Sequence, residues 1–485
     1  MFRALYRNKN LIKPVFFLSL GGVAVYAQDS RASIHNWLTQ PLLHQMDTEN
    51  SHKLAINLLS LGIHPKDYSV DWEGLKTTLW NKDFINPIGL AAGFDKHAEA
   101  IDGLFDLGFG FVEVGSVTPE PQSGNDKPRM FRLSEDEAVI NRYGFNSVGH
   151  MTVLARLRHR LKKFVTNNSD TDTTNQLLQS GLFSADETMT HFDTPASLHK
   201  GRILSLNLGK NKTTAENDVS DYVKGVRRLG PFADMLVINV SSPNTPGLRG
   251  LQRRGLLEEL LSSVVGERKT LKNHLPILVK VAPDLGLEEL EDVGLAAKNV
   301  GIDGVIVSNT TLDRPSTLKS ENSNQVGGLS GKPLLEKSVK ALKELYISTD
   351  GQVPLIGCGG ISSGKDALKF AGAGASLVQL YTSLGYEGVG LPRRIKDEIT
   401  QELKSQGIAS WQAVVGTDAL AELTRKRWER GYSIAISTLT KEVESLIERA
   451  KSLADGFNEN DDGEKVKEVV NESLEKAKEV KTRLV

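Results

Sequence analysis

Short apolar runs recur through the middle of the chain, each ending in or near Gly, Ser, Asn or Thr and each followed by a longer amphipathic segment. Runs without polar alternation are typical of parallel strands that are buried on both faces. Strand-then-helix units in series predict an α/β protein with a closed (β/α)8 TIM barrel, and a doubly wound open sheet is the alternative. The eight runs cover residues 88–92, 111–115, 203–208, 236–240, 277–281, 305–308, 355–358 and 377–380.

The segments on either side of the barrel have helical periodicity. Apolar positions between residues 30 and 62 predict two short helices, the second of which ends at Gly62. Such a pair either packs on the neighbouring domain as a helical hairpin or lies at a lipid surface and guards an opening. Beyond Gly407, apolar positions at helical spacing on both sides of the polar turn GFNENDDG predict a charged helical hairpin.

One gap between predicted strands is too long for an ordinary connection. Residues 166–194 are rich in Asn, Ser, Thr and Asp, which predicts a flexible surface insertion instead of a structural element. The predicted domains are an N-terminal presequence and anchor at 1–28, a helix pair at 29–75, a barrel with this insertion at 76–408, and a helical tail at 409–485.

The N-terminus differs from the rest of the chain in charge and hydropathy. No Asp or Glu precedes Asp29, and residues 14–27 are uncharged and mostly apolar. This stretch is shorter than the roughly 20 residues that cross a bilayer, but Leu11 and Ile12 extend it. The pattern predicts a mitochondrial presequence that continues into a single transmembrane anchor, with a secretory signal peptide as the alternative. Positive charge comes from Arg3, Arg7, Lys9 and Lys13.

Composition narrows the classes of function. The 485 residues suit a large barrel with appendages, and 39% hydrophobic and 25% charged residues are ordinary for a globular core. The net charge of −1 gives no indication of a nucleic-acid partner. Cys358 is the single cysteine, which excludes an intramolecular disulfide and a multi-cysteine metal site. The histidines lack ligand-like spacing, so no metal is expected.

Polar residues follow six of the predicted strands, where the working residues of a barrel lie. A single Asn at such a place is more often a turn-former than a ligand. Six successive strand ends with amides, hydroxyls or lysines indicate a planar ligand that is rich in hydrogen bonds. Lys280 lies within an apolar strand and requires an anionic partner, because an unpaired buried ammonium is costly. The six segments read AAGFDKH, GSVTP, NLGKN, NVSSPNT, VKVAPD and SNTT.

Glycine-rich turns surround the last two predicted strands, with GGLSG at 327–331, GCGG at 357–360 and LYTS at 380–383. Barrels commonly hold a phosphate at this place through backbone N–H groups. A flat, phosphorylated cofactor beside a small polar substrate is therefore expected. FMN fits this description, with Lys280 opposite the flavin edge that becomes anionic on reduction.

These segments together resemble the class 2 dihydroorotate dehydrogenases, from the helix pair near Trp37 to about Gly407. The resemblance implies an enzyme of the mitochondrial inner membrane, held by an N-terminal anchor, with its catalytic domain facing the intermembrane space. It also implies oxidation of (S)-dihydroorotate to orotate in de novo pyrimidine synthesis, with FMN as hydride acceptor and ubiquinone as final electron acceptor. The motifs are FDKHAEAIDGL, GFGFVEVGSVTP, NRYGFNS, NLGKNK, NVSSPNTPGLR, VKVAPD, GGLSGKPL and GCGGISSG.

The same resemblance assigns roles to single residues. Ser242 resembles the catalytic base that removes the C5 proton, with help from a water path near Thr245, since serine is a weak base. Class 1 relatives use a cysteine, whereas Cys358 here lies in a glycine turn and is interpreted as a small buried residue. His52 and Arg132 match the quinone tunnel. The implied substrate contacts are Lys96, Asn141, Arg142, Tyr143, Gly144, Phe145, Asn239, Asn244, Asn309 and Thr310. The implied flavin contacts are Ala92, Gly93, Lys96, Ser116, Asn207, Asn239, Lys280, Ser308, Gly331, Gly360, Tyr381 and Thr382.

Two features depart from that family, the long insertion and the tail beyond Asp418. The tail has no counterpart there and leaves the oligomeric state and the protein partners open. One alternative is another FMN barrel that acts on a different small acid or pyrimidine, which would lack the NVSSPNT and NRYGF pair. The other is a membrane-tethered scaffold, which would have a broken site. Both motifs are intact in this chain.

Overall fold

The computed structural model describes residues 22–23, 25–170, 185–245, 247–272, 274–455, 468–473 and 475–476. Most of the predicted presequence and anchor, the centre of the predicted insertion and the GFNENDDG turn lie outside these ranges. Within them, no helix is both long and apolar enough to cross a bilayer. Contacts between residues divide the chain into two compact units, Met1–Ala419 and Leu420–Val485.

Strands and helices alternate through most of the first unit. In chain order the strands are β1 (Thr77–Leu79), β2 (Lys82–Phe84), β3 (Ile88–Leu90), β4 (Phe111–Val117), β5 (Met130–Leu133), β6 (Ala138–Asn141), β7 (Ile203–Leu208), β8 (Met235–Asn239), β9 (Ile277–Val281), β10 (Gly304–Val307), β11 (Gly328–Gly331), β12 (Leu355–Cys358) and β13 (Ala375–Leu380). The helices are α1 (Gln40–Gln45), α2 (Thr48–Ser60), α3 (Ile101–Asp106), α4 (His150–Asn168), α5 (Ala185–His191), α6 (Ser220–Leu229), α7 (Arg254–Arg268), α8 (Leu287–Val300), α9 (Leu335–Ser348), α10 (Gly364–Ala373), α11 (Thr382–Glu387), α12 (Leu391–Ser405) and, in the second unit, α13 (Leu420–Asp455).

All eight predicted strands form one closed barrel, in the order β10-β12-β13-β3-β4-β7-β8-β9. Neighbouring strands are parallel around the whole ring. Every residue of β7, β8, β9, β10, β12 and β13 is buried, which explains why the apolar runs have no polar alternation. The (β/α)8 prediction is confirmed, and the alternative of an open sheet is wrong.

The β1–β2 hairpin covers the end of the barrel where the strands begin. The Phe84 ring meets the Phe111 ring edge to face, with centroids 6.0 Å apart. Gly89 leaves the space for this contact, since a Cβ there would lie only 2.3 Å from Cζ of Phe111. With this end filled by aromatic rings, a ligand site has to lie at the opposite end, where the strands finish.

A small antiparallel sheet, in the order β11-β6-β5, was not predicted from the sequence. Its strands come from the segment after β4 and the segment after β10. Asn141 pairs with Gly328, and Ala138 pairs with Gly331. The sheet therefore brings the predicted substrate segment NRYGF beside the predicted glycine loop GGLSG.

The predicted helix pair is present. A π-helical turn at His35–Thr39 runs directly into α1, and α2 is N-capped by Asp47, whose carboxylate accepts a hydrogen bond from the Asn50 backbone N–H at 3.0 Å. Ile56 and Leu59 are buried. Other apolar side chains of the pair face outward, with Trp37 at 64% and Leu61 at 71% exposure. Such exposed apolar area is typical of an interaction surface.

The prediction of a structureless insertion at 166–194 was wrong at both ends. Helix α4 continues to Asn168, because Leu161 and Val165 repeat its buried face at helical spacing. Helix α5 begins at Ala185 and buries both Ala185 and Thr188. Many of the polar residues near these ends are exposed positions of helices, and their composition is the same as that of a loop.

The first compact unit extends beyond residue 408, where the sequence placed the end of the barrel. Trp411 is fully buried, and its indole N–H donates a hydrogen bond to the Ser376 carbonyl at 2.8 Å. The hydroxyl of Thr77 also donates to Gln412 at 3.0 Å. In the second unit, α13 and the helical residues 468–473 confirm the helical character of the tail. The hairpin itself stays a prediction.

Candidate active site

A cavity of about 740 Å³ opens at the carboxyl ends of the barrel strands. Its deep end is polar and is lined by Asn239, Ser242, Lys280, Asn309 and Thr310, among others. Its outer end lies between α1 and α2 and is lined mainly by apolar side chains that include Leu43, Ala55, Leu58 and Leu59. One continuous space therefore joins a polar site to an apolar opening.

A row of hydrogen-bonded amides and hydroxyls forms the floor of the polar end. Asn239 Nδ2 donates to Ser116 Oγ at 3.0 Å and to Asn207 Oδ1 at 3.2 Å. Asn309 Nδ2 donates to Asn239 Oδ1 at 3.2 Å and to Ser241 Oγ at 3.0 Å. Asn207 lines neither this cavity nor the smaller one beside it, so it lies behind the wall that Ser116 and Asn239 present.

Lys280 lies on β9 beside Asn239 of β8, and its side chain is buried. It lines both cavities. Among the described residues, no carboxylate lies within ion-pair distance of its ammonium. A buried cation without a protein counter-ion is costly, so the geometry favours a bound group with negative charge at this place.

Within the NRYGF segment, Arg142 faces a different way from the other four residues. Asn141, Tyr143, Gly144 and Phe145 line the cavity, and Asn141 Oδ1 accepts a hydrogen bond from Asn244 Nδ2 at 3.3 Å. Arg142 points away from the cavity, where its guanidinium donates to the Pro128 carbonyl and to the Gln325 side chain, both at 3.1 Å. Side chains alternate along an extended segment, so the residue between two cavity-lining neighbours faces the other side.

Lys96 brings a second cation to the polar end. Its ammonium donates to Asn146 Oδ1 at 2.8 Å and lies 3.6 Å from the centre of the Tyr143 ring. Arg129 approaches the same ring, with its Cζ 4.9 Å from the centre. Burial, followed by repulsion from Arg129, lowers the pKa of Lys96 to about 7. Its charge is therefore sensitive to an anion that binds in the cavity.

Ser242 lines the cavity with few internal partners. Its Oγ accepts a long hydrogen bond of 3.4 Å from the Asn244 backbone N–H. The buried hydroxyl of Thr245 has no hydrogen-bond partner among the described residues. The Ser242 hydroxyl is thus available to a ligand, whereas Thr245 lines neither cavity. Burial raises the pKa of the Cys358 thiol, as expected for an inert cysteine.

A smaller cavity of about 80 Å³ lies at the glycine loops and is lined by Ser308, Gly331, Gly360, Thr382 and Ser383, among others. Both glycines have a positive φ, and a Cβ at Gly360 would come within 2.7 Å of the Leu335 backbone N. The Ser383 hydroxyl is buried with no partner among the described residues. Bare backbone and an unpaired hydroxyl fit a phosphate, and Ala92, Lys280, Tyr381 and Thr382 line both cavities, as one phosphorylated, flat cofactor would require.

Comparison with known proteins identifies the family. A family model described as dihydroorotate dehydrogenase matches residues 74–403. A Schizosaccharomyces pombe protein named dihydroorotate dehydrogenase (quinone), mitochondrial, is 50% identical over 405 residues, which cover 82% of this chain and 89% of the relative. The chain belongs to the dihydroorotate dehydrogenase family. This membership confirms the resemblance, and the prediction of an oxidoreductase with it.

Other dihydroorotate dehydrogenases agree. The Mus musculus protein with the same printed name is 47% identical over 384 residues, which cover 79% of this chain and 89% of the relative. Among solved structures, ligand-free DHODH from Eimeria tenella is similar with a TM-score of 0.68 and 41% identity, covering 77% of this chain and 99% of that one. The likeness therefore spans nearly the whole length of these relatives.

Both residues that the sequence matched to the quinone tunnel of dihydroorotate dehydrogenases line the outer part of the cavity. His52 Nε2 is 2.7 Å from the Phe94 carbonyl, and burial lowers the pKa of His52 to about 4, so the ring is neutral and this nitrogen donates. Arg132 donates to the His44 carbonyl at 2.7 Å, which ties β5 to α1. The rings of Phe94 and Tyr381 stand edge to face, 5.7 Å apart, between the two ends.

Sequence reasoning missed two residues in the dihydroorotate dehydrogenase barrel. Glu113 is fully buried on β4 and accepts a hydrogen bond from Asn207. Gln379 is fully buried on β13 and donates to the same carboxylate. The signal was present, because Glu113 is a charge inside an apolar run, as Lys280 is. Glu113 lies in mid-strand, whereas the sequence pattern favoured the polar residues at the strand ends.

Proposed function

We propose that this chain oxidises dihydroorotate to orotate and passes the electrons to a quinone in mitochondria. The observation that carries the proposal is the single cavity that joins the strand-end amides and lysines to the apolar opening between α1 and α2. A polar pyrimidine acid fits the first end, and a lipid-soluble quinone fits the second. The printed names of the relatives support both substrates and the mitochondrial location.

FMN is the proposed cofactor. When bound, FMN would supply an acceptor for a hydride and a donor of electrons to the quinone, either singly or as a pair. Gly331, Gly360, Thr382 and Ser383 would hold its phosphate in the smaller cavity. Lys280 would face the ring edge that gains negative charge, and the wall of Ser116 and Asn239, with Asn207 behind it, would present hydrogen bonds to the ring.

The substrate would bind between the strand ends and the NRYGF segment. Its carboxylate needs a cation and N–H donors, which Lys96 and the amides of Asn141, Asn239, Asn244 and Asn309 supply together with Thr310. An anion beside Lys96 favours the charged form of this lysine and so offsets the effect of burial.

Ser242 is the proposed group that takes the C5 proton. A serine hydroxyl is a weak base, so the proton has to move on. The buried Thr245 hydroxyl, unpaired among the described residues, would relay the proton through water, taking up one proton as it gives up its own, so that the proton ends in solvent. Lys280, on the neighbouring strand, adds a positive charge that favours proton removal from a ligand at this end of the cavity.

Attachment to the inner membrane through residues 1–28, with the catalytic unit facing the intermembrane space, is part of the proposal. The basic N-terminus and its apolar stretch support it, as do the exposed apolar side chains of the helix pair. Deletion of the residues before Ser30 is expected to move the protein from the membrane fraction to the soluble fraction. A full-length protein that is already soluble would contradict the anchor.

The activity is tested with purified full-length protein, dihydroorotate and a short-chain ubiquinone. Orotate is expected to form in step with the loss of oxidised quinone, and denaturation is expected to release FMN. Orotate formation that requires NAD, or the release of FAD in place of FMN, would contradict the proposal.

A further inference from the structure

Glu113 lies inside the barrel, away from solvent and from both cavities. Its carboxylate oxygens accept hydrogen bonds from Asn207 Nδ2, at 2.5 Å, and from Gln379 Nε2. A deeply buried carboxylate is costly unless its partners compensate, so its retention in an apolar strand calls for a specific reason.

The first consequence of this carboxylate concerns the amide of Asn207. A carboxylate has two acceptor oxygens and no N–H group, so only the NH2 end of an amide can face it. The Asn207 oxygen is thereby turned toward the site, where it accepts from the Ser116 hydroxyl and from Asn239 Nδ2. The two ends of an amide are nearly equivalent in shape, so without the carboxylate little would favour one orientation of Asn207 over the other.

The oxygen of Asn207 receives the NH2 group of Asn239, the next amide of the row. Asn239 turns that NH2 group to Asn207 and Ser116, and its oxygen accepts from Asn309 Nδ2 at 3.2 Å and from the Ser241 backbone N–H at 3.3 Å. Asn309 then has its own oxygen free to accept from the Thr310 backbone N–H at 2.8 Å. Each amide in turn is held in one of its two orientations, and Asn239 and Asn309 line the main cavity.

We propose that Glu113 is a positioning residue that fixes the orientation of the Asn207 amide and, through it, the hydrogen-bonding groups that Ser116 and Asn239 present to the ligand. It acts through Asn207 and never touches the substrate. The inference rests on the proposed function, since the ligand pattern that the amides serve is that of orotate and its dihydro form. A pyrimidine edge alternates N–H donors and C=O acceptors, so an amide presented the wrong way round replaces an attraction with a repulsion.

Two changes of the same chemical kind separate this role from general support of the core. Glu113→Gln replaces one acceptor oxygen with an NH2 group and removes the demand on Asn207. Asp234→Asn is the matched control, because Asp234 is also buried but, in the part of the chain that the structure describes, accepts only from the backbone N–H groups of Ala196, Ser197 and Leu204. Both variants lose a buried carboxylate, and only the first touches the amide row.

The primary readout is the equilibrium affinity for orotate, measured by titration calorimetry on the FMN-loaded protein. Glu113→Gln is expected to retain FMN and to weaken orotate binding by about tenfold, since one reversed buried amide is worth about that much. Asp234→Asn is expected to stay within about twofold of the wild type, whatever its loss of thermal stability. The KM for quinone is expected to be unchanged in both, because neither residue lines the cavity, whose outer end lies between α1 and α2.

Asn207→Ala provides a second test that does not depend on the folding of Glu113→Gln. Asn207 lines neither cavity, so in a variant that retains FMN we expect a loss of orotate affinity to pass through its partners Ser116 and Asn239. A loss of about tenfold is expected, and the double variant should lose no more than Asn207→Ala alone, because the two residues act in series. Orotate affinity within about twofold of wild type in Asn207→Ala would overturn the inference.

The wild type separates this inference from the proposed function. A wild-type protein that neither binds orotate nor has its flavin reduced by dihydroorotate would overturn both. A wild type that does both, beside a Glu113→Gln variant that binds orotate equally well, would overturn the positioning role alone.

Discussion

The ammonium of Lys96 lies 3.6 Å from the centre of the Tyr143 ring, so a cavity-lining cation is held against an aromatic face. The quadrupole of the ring stabilises the charge, while burial opposes it and lowers the pKa of Lys96 to about 7. Burial, followed by repulsion from Arg129, thus brings the pKa of this lysine near neutral pH. A carboxylate substrate that binds beside Lys96 stabilises the charged form and therefore opposes loss of its proton.

This balance predicts a pH dependence of orotate binding. The lysine is charged below its pKa and neutral above it, so anion affinity is greatest below pH 7 and falls as the pH rises. The orotate dissociation constant should increase by about tenfold per pH unit above about pH 7.5. Calorimetric titrations across this range give the slope. Lys96→Met should bind weakly with a flat profile, and a flat profile in the wild type would show that Lys96 does not contact the anion.

Ser242→Ala is expected to retain FMN and to slow flavin reduction by dihydroorotate by roughly 10²–10⁴-fold, the usual contribution of a positioned base. Single-turnover stopped-flow absorbance measures this step apart from quinone binding. Ser241→Ala is the neighbouring control, since the Ser241 hydroxyl is committed to the Lys280 carbonyl at 2.6 Å and does not line the cavity. Reduction that is slowed more by Ser241→Ala than by Ser242→Ala would move the base to Ser241.

The quinone opening is tested by filling it. Ala55 on α2 lines the outer cavity, whereas the adjacent Leu54 is exposed and does not. Ala55→Trp should slow flavin reoxidation by ubiquinone at least about tenfold, because overfilling leaves no room for the ring. Flavin reduction should stay the same, and Leu54→Trp should leave both half-reactions near wild type. Equal quinone rates in the two variants would place the quinone elsewhere.

The end of the barrel unit is set by Trp411. A chain that ends after Ala419 is expected to keep its FMN content and its dihydroorotate oxidation within about twofold, since the contacts between residues divide there. A chain that ends after residue 408 loses the buried indole and should unfold at a lower temperature. Trp411→Ala isolates the effect and should cost about 3–5 kcal/mol in the free energy of unfolding. Loss of activity in the longer truncation would make the tail part of the working enzyme.

The sequence predicted the barrel well because its strands are buried on both faces and therefore appear as unbroken apolar runs. The β5-β6-β11 sheet was missed because its strands are short and come from separate parts of the chain. For the same reason, the sequence could not show that Arg142 turns away from the cavity. That orientation follows from how Asn141 pairs with Gly328, a contact between residues far apart in sequence.

The residues that line the site were predictable from the sequence, whereas the buried residues that support them were not. Residues such as Ser242 and Asn309 could be predicted because they follow strands of the predicted barrel, where the site of such a barrel lies. Asn207 lies behind Ser116 and Asn239, a place that depends on the direction in which a side chain leaves a closed barrel, and its expected contact with the flavin stays a prediction. The role of Glu113 was not predictable either, because it depends on Asn207 and Gln379. These residues lie on other strands and come next to Glu113 only when the barrel closes.

The most direct test of the account is the visible absorbance of the purified protein under anaerobic conditions. We expect a flavin spectrum that is bleached when dihydroorotate is added without NAD and that returns when ubiquinone is added. A protein with no flavin spectrum, or with a flavin that dihydroorotate leaves oxidised, would contradict it.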